Sequence, residues 1–350
     1  MFDLCTGPKN RGYYNIKRLL DDKRFDISCI EYDGAMDNVF RRLVDIPEKK
    51  IEILSAQALN IKRYFNVRGS LNCPYIFHSS HYRIDKCKNA RNVTTVHDFV
   101  YEYFVKGIRQ KIHSFQKWNS IRKADVVICI SESTKKDLLH FLPDIDDRKL
   151  VVIHNGVDEG YRKLPLNEYQ LNLPFETGEY LVYVGNRHTP YKNFKLAAQS
   201  CAKINRPLII VGGEPVSEQE AIYLNELIGI GRYAYMRGVN NRDLNEIYNR
   251  AFALLYPSLY EGFGIPIIEA QRAGIPVVCM HTSSIPEVMG KSDLCIKENF
   301  TVDAVCECLK NLEYTEFRCK EINRGYLNTQ RFSWNKTYNL TTDVYNSLLE

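Results

Sequence analysis

Two glutamates, Glu261 and Glu269, enclose seven residues in the segment Glu261-Gly262-Phe263-Gly264-Ile265-Pro266-Ile267-Ile268-Glu269. Glycines at 262 and 264 let backbone N–H groups approach a ligand closely, and Pro266 suits the first turn of a helix, a turn expected to include Glu269. A glutamate at a helix start can serve merely to complement the helix dipole. Glu261 has no such duty on a glycine-flanked loop, which makes it the stronger candidate for ligand contact. A second segment, Gly185-Asn186-Arg187-His188-Thr189-Pro190-Tyr191-Lys192-Asn193, precedes a helical pattern from Phe194. Its Arg187 and Lys192 set two cations ahead of a helix N-terminus, an arrangement suited to a diphosphate, with a solvated basic loop as the plainer reading. Thr95-Val96-His97-Asp98 puts a histidine directly after a β-branched run, where ligands of open α/β sheets sit. His78 and His81 end another run and either line an acceptor or are satisfied inside the fold.

Short β-branched runs alternate with helical patterns along the whole chain, the signature of parallel sheets with crossover helices. Strands are predicted at 75–77, 93–96, 126–130 and 150–153, and in a second series at 180–184, 208–211, 253–256 and 276–279. Ser131-Glu132-Ser133-Thr134 supplies cap residues for a helix through Lys135 to Phe141. The stretch from Asn155 to Pro174 is rich in turn residues and reads as an interdomain linker. A chain of 350 residues exceeds the usual single domain. The expected fold class is therefore α/β, with one doubly wound, Rossmann-like domain over 1–165 and another over 175–350, whose last helix is a candidate to cross back to the first.

Composition narrows the function classes. The eleven cysteines form no Cys-x-x-Cys pair, and Cys306-x-Cys308 has no partners at zinc spacing, so reduced thiols without a metal are expected. The net charge of +5 resides in the first 160 residues and is too dispersed for nucleic acid, but leaves room for an anionic membrane surface or a phosphate-bearing acceptor. With no basic start followed by an apolar stretch, and no run of 18 apolar residues, the expected location is cytoplasmic, with the inner face of a membrane as the alternative. Residues 101–123 carry Lys106, Arg109, Lys111, Lys117, Arg122 and Lys123 against the single Glu102. Apolar residues recur among them at three- and four-residue steps, predicting one amphipathic helix with a basic face, either packed on the core or facing a membrane.

The Glu261–Glu269 segment resembles the Glu-x7-Glu signature of the retaining, family 4 glycosyltransferases with the two-domain GT-B fold. Gly185-x-Arg187 with Lys192-Asn193 is similar to that family's diphosphate-binding pair, and His281-Thr282-Ser283-Ser284-Ile285-Pro286-Glu287 to its loop after the next strand. Gly238-Val239, before a helix starting near Asp243, resembles the turn that contacts the base. Thr95-Val96-His97-Asp98 resembles the loop whose histidine faces the donor sugar, and Ala124-Asp125 through Asp137 and His154-Asn155-Gly156-Val157-Asp158 match later strands. The likeness runs from about Phe77 to Trp334. The family opens with a full strand before a glycine-rich loop, whereas Phe2-Asp3-Leu4-Cys5 alone precedes Gly7-Pro8-Lys9-Asn10-Arg11-Gly12, so a short first strand or a clipped start is expected.

The resemblance implies a nucleotide-diphosphate sugar in an interdomain cleft. Glu269 would hold ribose hydroxyls, Glu261 the sugar hydroxyls, and Arg187 and Lys192 the departing diphosphate. Gly262, Phe263, Gly264, Val239 and Gly12 would complete the donor contacts, and His97 would orient the sugar. It further implies transfer of a hexose-type sugar, from GDP-mannose or a UDP-sugar, to a cell-envelope polysaccharide or lipid-linked oligosaccharide acceptor. Neither a cofactor nor a metal is required, since two cations do the electrostatic work and no Asp-x-Asp stands in these loops. A nucleotide-sugar epimerase of the same fold and a non-catalytic nucleotide-sugar-binding protein are the rivals. A Rossmann oxidoreductase is disfavoured because no Gly-x-Gly-x-x-Gly follows any strand.

Overall fold

The computed structural model describes residues 2–3, 12–35, 41, 44–55, 57, 65–69, 71–79 and 82–350. The chain divides into two compact units, residues 1–154 with 334–350, and residues 155–333.

In the first unit, β1 (Phe2–Asp3), β2 (Cys29–Tyr32), β3 (Ile51–Leu54), β4 (Tyr75–Ser79), β5 (Ala90–Val96), β6 (Val126–Cys129) and β7 (Leu150–Val152) form one sheet in the order β3-β2-β1-β4-β5-β6-β7. Every pairing is parallel. Leu4 and Cys5, expected to extend β1, lie outside the described residues. Ile16 and Leu19 of the helix Gly12–Asp21 pack with Cys29, Val93 and Ile128 and with Tyr338, Val344 and Tyr345 of the terminal helix Trp334–Leu349 in one buried cluster. That terminal helix is tied to the first unit by polar contacts as well, Thr337 Oγ1 donating to the His154 carbonyl at 2.7 Å and Tyr338 Oη to Asp22 Oδ2 at 2.7 Å.

The second unit carries β8 (Leu181–Val184), β9 (Leu208–Val211), β10 (Tyr233–Met236), β11 (Ala253–Tyr256), β12 (Val277–Met280) and β13 (Cys295–Ile296), parallel throughout, in the order β10-β9-β8-β11-β12-β13. Helices cover both faces of such a sheet, so its strands read as unbroken apolar runs, and β9 and β11 are buried at every position. The strand order reverses between β8 and β11. Loops leaving their carboxyl ends diverge there and open the crevice in which this architecture binds ligands.

The expected boundary at 165–175 is corrected to His154/Asn155. Residues 155–174 are no free linker, because helix Asn241–Arg250 supplies side-chain acceptors along them. Arg162 N donates to Asn245 Oδ1 at 3.0 Å, Leu164 N to Asn249 Oδ1 at 2.7 Å, and Gln170 N and Leu171 N to the Glu246 carboxylate at 2.9 Å. Turn residues marked this stretch correctly as irregular, but its backbone is pinned by a helix distant in sequence.

The single helix expected over 101–123 is likewise corrected. Two helices occur, Val100–Phe104 and Ile108–Lys123, broken at Gly107, whose φ of +86° lies in the left-handed region that no helix continues through.

Candidate functional site

The two loops richest in candidate residues leave the carboxyl ends of β8 and β11, the paired strands at the reversal point. They are joined by backbone, Leu259 N donating to the Tyr191 carbonyl at 2.7 Å, and by charge. Lys192 Nζ donates to Glu261 Oε1 at 2.5 Å, with the two side chains 18% and 12% exposed. The Tyr191 and Tyr256 rings each stand 5.6 Å from the ammonium. A cation and a carboxylate are thus brought together from positions 69 residues apart in sequence, shielded but still open to a ligand.

The glycine-rich segment is held by the loop after β12. Ser283 Oγ accepts from Glu261 N at 2.8 Å, while the buried Ser284 Oγ lies 2.8 Å from the Glu261 carbonyl oxygen and 2.9 Å from that of Phe263 and donates toward both. Gly262 lies half-buried between them, and Phe263 is buried with its ring edge-on to Phe332. Gly264, with φ +102°, caps the helix Ile265–Ala273, and a Cβ there would stand 3.2 Å from Ile267 Cδ1. Because this helix begins at Ile265, Glu269 falls one residue beyond the first turn rather than within it, which corrects the expectation. Its Oε2 accepts from Tyr248 Oη at 3.3 Å. Burial and the neighbouring Glu269 carboxylate push the Tyr248 phenol well above its ordinary range, so it remains a donor.

Arg187 behaves differently from Lys192. Its fully buried guanidinium donates to Glu220 through Nε at 2.5 Å and a terminal nitrogen at 2.9 Å, and it lies 5.0 Å above the Tyr235 ring. The other terminal nitrogen, Nη1, is buried with no hydrogen-bond partner among the described residues. Beside it, Gly213 holds φ +81°, and a Cβ there would stand 3.3 Å from that nitrogen. The two cations expected to meet a diphosphate thus have different partners: Lys192 pairs with a candidate ligand-binding glutamate, while Arg187 is bound by a helix carboxylate and keeps one donor over. Glu220, Tyr235, Gly213 and the serine pair were not singled out as site residues from sequence. The Gly212-Gly213 pair directly after β9 was the available signal.

Val239 lies half-buried after β10, following Gly238 at φ +68°. The helix expected near Asp243 begins at Asn241, because Asn240 caps it by accepting from Asp243 N at 2.9 Å. In the first unit, His97 is exposed at the carboxyl end of β5. The loop behind it is braced by Lys117, whose ammonium is wholly buried, pairs with Glu102 at 2.8 Å, donates to the Asp98 carbonyl at 2.9 Å and lies 4.4 Å from the Phe99 ring. His78 resolves as a structural residue: Nδ1 lies 2.6 Å from Tyr345 Oη and Nε2 2.8 Å from Thr95 Oγ1. Burial, together with the nearby His97 charge, pushes its pKa down to about 3. His81 lies outside the described residues, as do Gly7 through Arg11, while Gly12 opens the helix Gly12–Asp21. In the chain's Asp144-Ile145-Asp146, Asp144 pairs with Arg122 and Asp146 with Arg148.

Two parallel doubly wound sheets, one of them presenting an ion pair and a glycine-capped helix start at its reversal point, define a protein of two Rossmann-like domains. Residues 167–324 match the family described as Glycosyl transferases group 1, and residues 11–161 match Glycosyltransferase Family 4. The chain belongs to the family 4 glycosyltransferases and has their GT-B fold. It is 29% identical over 292 residues to O-antigen chain mannosyltransferase B of Escherichia coli, covering 78% of this chain and 74% of that one. Over 360 residues it is 26% identical to the O-antigen biosynthesis glycosyltransferase WclY of Escherichia coli, covering 95% and 92%. Among solved structures, Anabaena Alr3699/HepE in complex with UDP and glucose superposes with a TM-score of 0.72 at 16% identity, covering 99% of each chain.

Proposed function

We propose that this glycosyltransferase moves a hexose, with mannose the leading choice, from a nucleoside diphosphate donor to a saccharide acceptor of the cell envelope, free or lipid-linked, and that the anomeric configuration is retained. The observation that carries this reading is the Lys192–Glu261 pair at the β8/β11 reversal point, set against the glycine-capped helix that bears Glu269. The mannosyltransferase names of relatives support the sugar, and the UDP in the HepE complex supports a nucleoside diphosphate at this fold.

Glu269 and Tyr248 would take the ribose hydroxyls, Gly262, Phe263 and Gly264 would offer backbone N–H groups, and Val239 would border the base. Lys192 would leave Glu261 for the diphosphate, freeing that carboxylate for the sugar hydroxyls, while the spare Arg187 Nη1 adds a second donor to phosphate. Gly12 and His97 keep the roles the family gives them, toward donor phosphate and transferred sugar. As the sugar–phosphate C–O bond breaks, charge grows on the leaving oxygen, where Lys192 stabilises it more strongly than in the ground state. The acceptor oxygen bonds to the anomeric carbon on the same face, and its proton passes to the leaving phosphate oxygen. No protein nucleophile or metal ion enters this scheme.

A thermal-shift screen against UDP, GDP, ADP and their sugars tests it. A ligand at 100 times its Kd adds about 2.7 kcal/mol, equivalent to a rise of very roughly 5–10 °C for a unit of this size. One base should stand out, and no shift with any nucleotide would refute the reading.

A further inference from the structure

The helix Ile108–Lys123 is oriented opposite to the usual surface helix. Its inward face is polar: Ser114, Gln116, Lys117 and Ser120 are buried together with Ile121. Three of these side chains are satisfied internally, Ser114 Oγ donating to Glu102 Oε1 at 2.7 Å, Lys117 to Glu102 Oε2 at 2.8 Å, and Ser120 Oγ lying 2.7 Å from Thr94 Oγ1. Its outward face carries Ile108, Ile112 and Phe115, which are 71%, 44% and 74% exposed. These fall at i, i+4 and i+7, one stripe of the helix. Tyr103 and Phe104, 44% and 43% exposed, continue the apolar surface on the short helix before Gly107. Exposed Lys106, Arg109 and Lys111 lie among them, and none of the three has an ion pair among the described residues. The only acidic residue of 101–123 is Glu102, and Lys117 neutralises it in the interior.

Water is the wrong solvent for that stripe, whereas an interfacial helix has this character: apolar tips at headgroup depth and cations reaching lipid phosphates. A second copy of the chain fits poorly, because a two-fold contact would set Lys106, Arg109 and Lys111 against themselves. We infer that Tyr103, Phe104, Ile108, Ile112 and Phe115, with Lys106, Arg109 and Lys111, form a docking surface for an anionic lipid bilayer. Its test needs no sugar nucleotide.

Flotation of the full chain with phosphatidylcholine vesicles, and with vesicles also containing phosphatidylglycerol, reads the binding. Retention only on the anionic vesicles, weakening with added salt, is expected. Each of Lys106→Glu, Arg109→Glu and Lys111→Glu should lower partitioning at least about fivefold, the equivalent of ~1 kcal/mol per surface cation. Ile108→Ser/Phe115→Ser should abolish retention while circular dichroism and nucleotide binding stay those of the parent, since both side chains are solvent-facing. Equal retention on neutral vesicles, no retention on either, or variants that bind as the parent does would overturn the proposal. So would a concentration-dependent dimer in light scattering that Phe115→Ser dissolves.

Discussion

Glu261→Gln should tighten the binding of a free nucleoside diphosphate while slowing sugar transfer. In the unliganded protein Lys192 is spent on Glu261 at 2.5 Å, with side-chain exposures of 18% and 12%. A diphosphate must draw the ammonium away from that carboxylate. The pair is neither open to water nor fully enclosed, so its net value is about 1 kcal/mol, the upper end for accessible ion pairs. Glutamine keeps the shape and removes the competing charge, so about 1 kcal/mol returns to the ligand and Kd falls about fivefold. Lys192→Ala moves the other way. Loss of a hydrogen bond from a charged donor costs about 1.5–3 kcal/mol, a Kd about 10- to 100-fold higher. In the Lys192→Ala background, Glu261→Gln should gain little, since no cation remains to be released. Calorimetric titration of the parent, both single variants and the double variant with UDP and GDP measures all four values. Weaker nucleotide binding by Glu261→Gln, or the same gain with and without Lys192, would refute the competition between carboxylate and diphosphate.

The remaining expectations concern the residues that hold the site and one that holds the fold. Arg187→Ala strips a partner from Glu220 in a pair whose exposures are 0% and 14%, so thermal unfolding should show a loss of about 3 kcal/mol, the low end for a broken buried pair, and an unchanged melting temperature would contradict the packing described. Ser284→Ala leaves two backbone carbonyls short of their donor, and hydrogen exchange across 261–264 should quicken about tenfold, equivalent to ~1.4 kcal/mol; parent-like protection would show that the serine does not fasten the loop. Folding lowers the His78 pKa from 6.5 to about 3, so as pH falls the unfolded chain protonates first. The stability from this residue is whole above pH 6.5 and is lost at about 1.4 kcal/mol per unit down to pH 3. Denaturant titrations at several pH values should show that slope in the parent and lack it in His78→Gln, and equal slopes would place the proton elsewhere.

Strands buried on both faces were legible because they are continuous apolar runs: 208–211 and 253–256 coincide with the observed β9 and β11. Two of the overlooked strands break that rule. β2 contains Glu31, buried where Arg41 Nε meets it at 2.5 Å, and β3, at the sheet edge, is interrupted by Glu52 and has little burial. The site loops were legible through their glycines and their place after strands. What sequence could not convey was which charges meet. Lys192 and Arg187 look alike in one loop, yet helix 218–227 supplies Glu220 to one and the β11 loop supplies Glu261 to the other. Helix Ile108–Lys123 misled for a related reason: periodicity locates an apolar stripe but not the direction it faces, and here a buried Lys117–Glu102 pair occupies the inner side.

Transfer by Lys192→Ala, measured at saturating donor in EDTA beside the parent, tests the leaving-group role most directly. Removing one preorganised donor to a developing negative charge typically costs about 100- to 1000-fold in turnover. The expected result is that loss in a folded variant, with the parent fully active in EDTA. Near-parent turnover in Lys192→Ala, or a parent enzyme abolished by EDTA and restored by manganese, would contradict it.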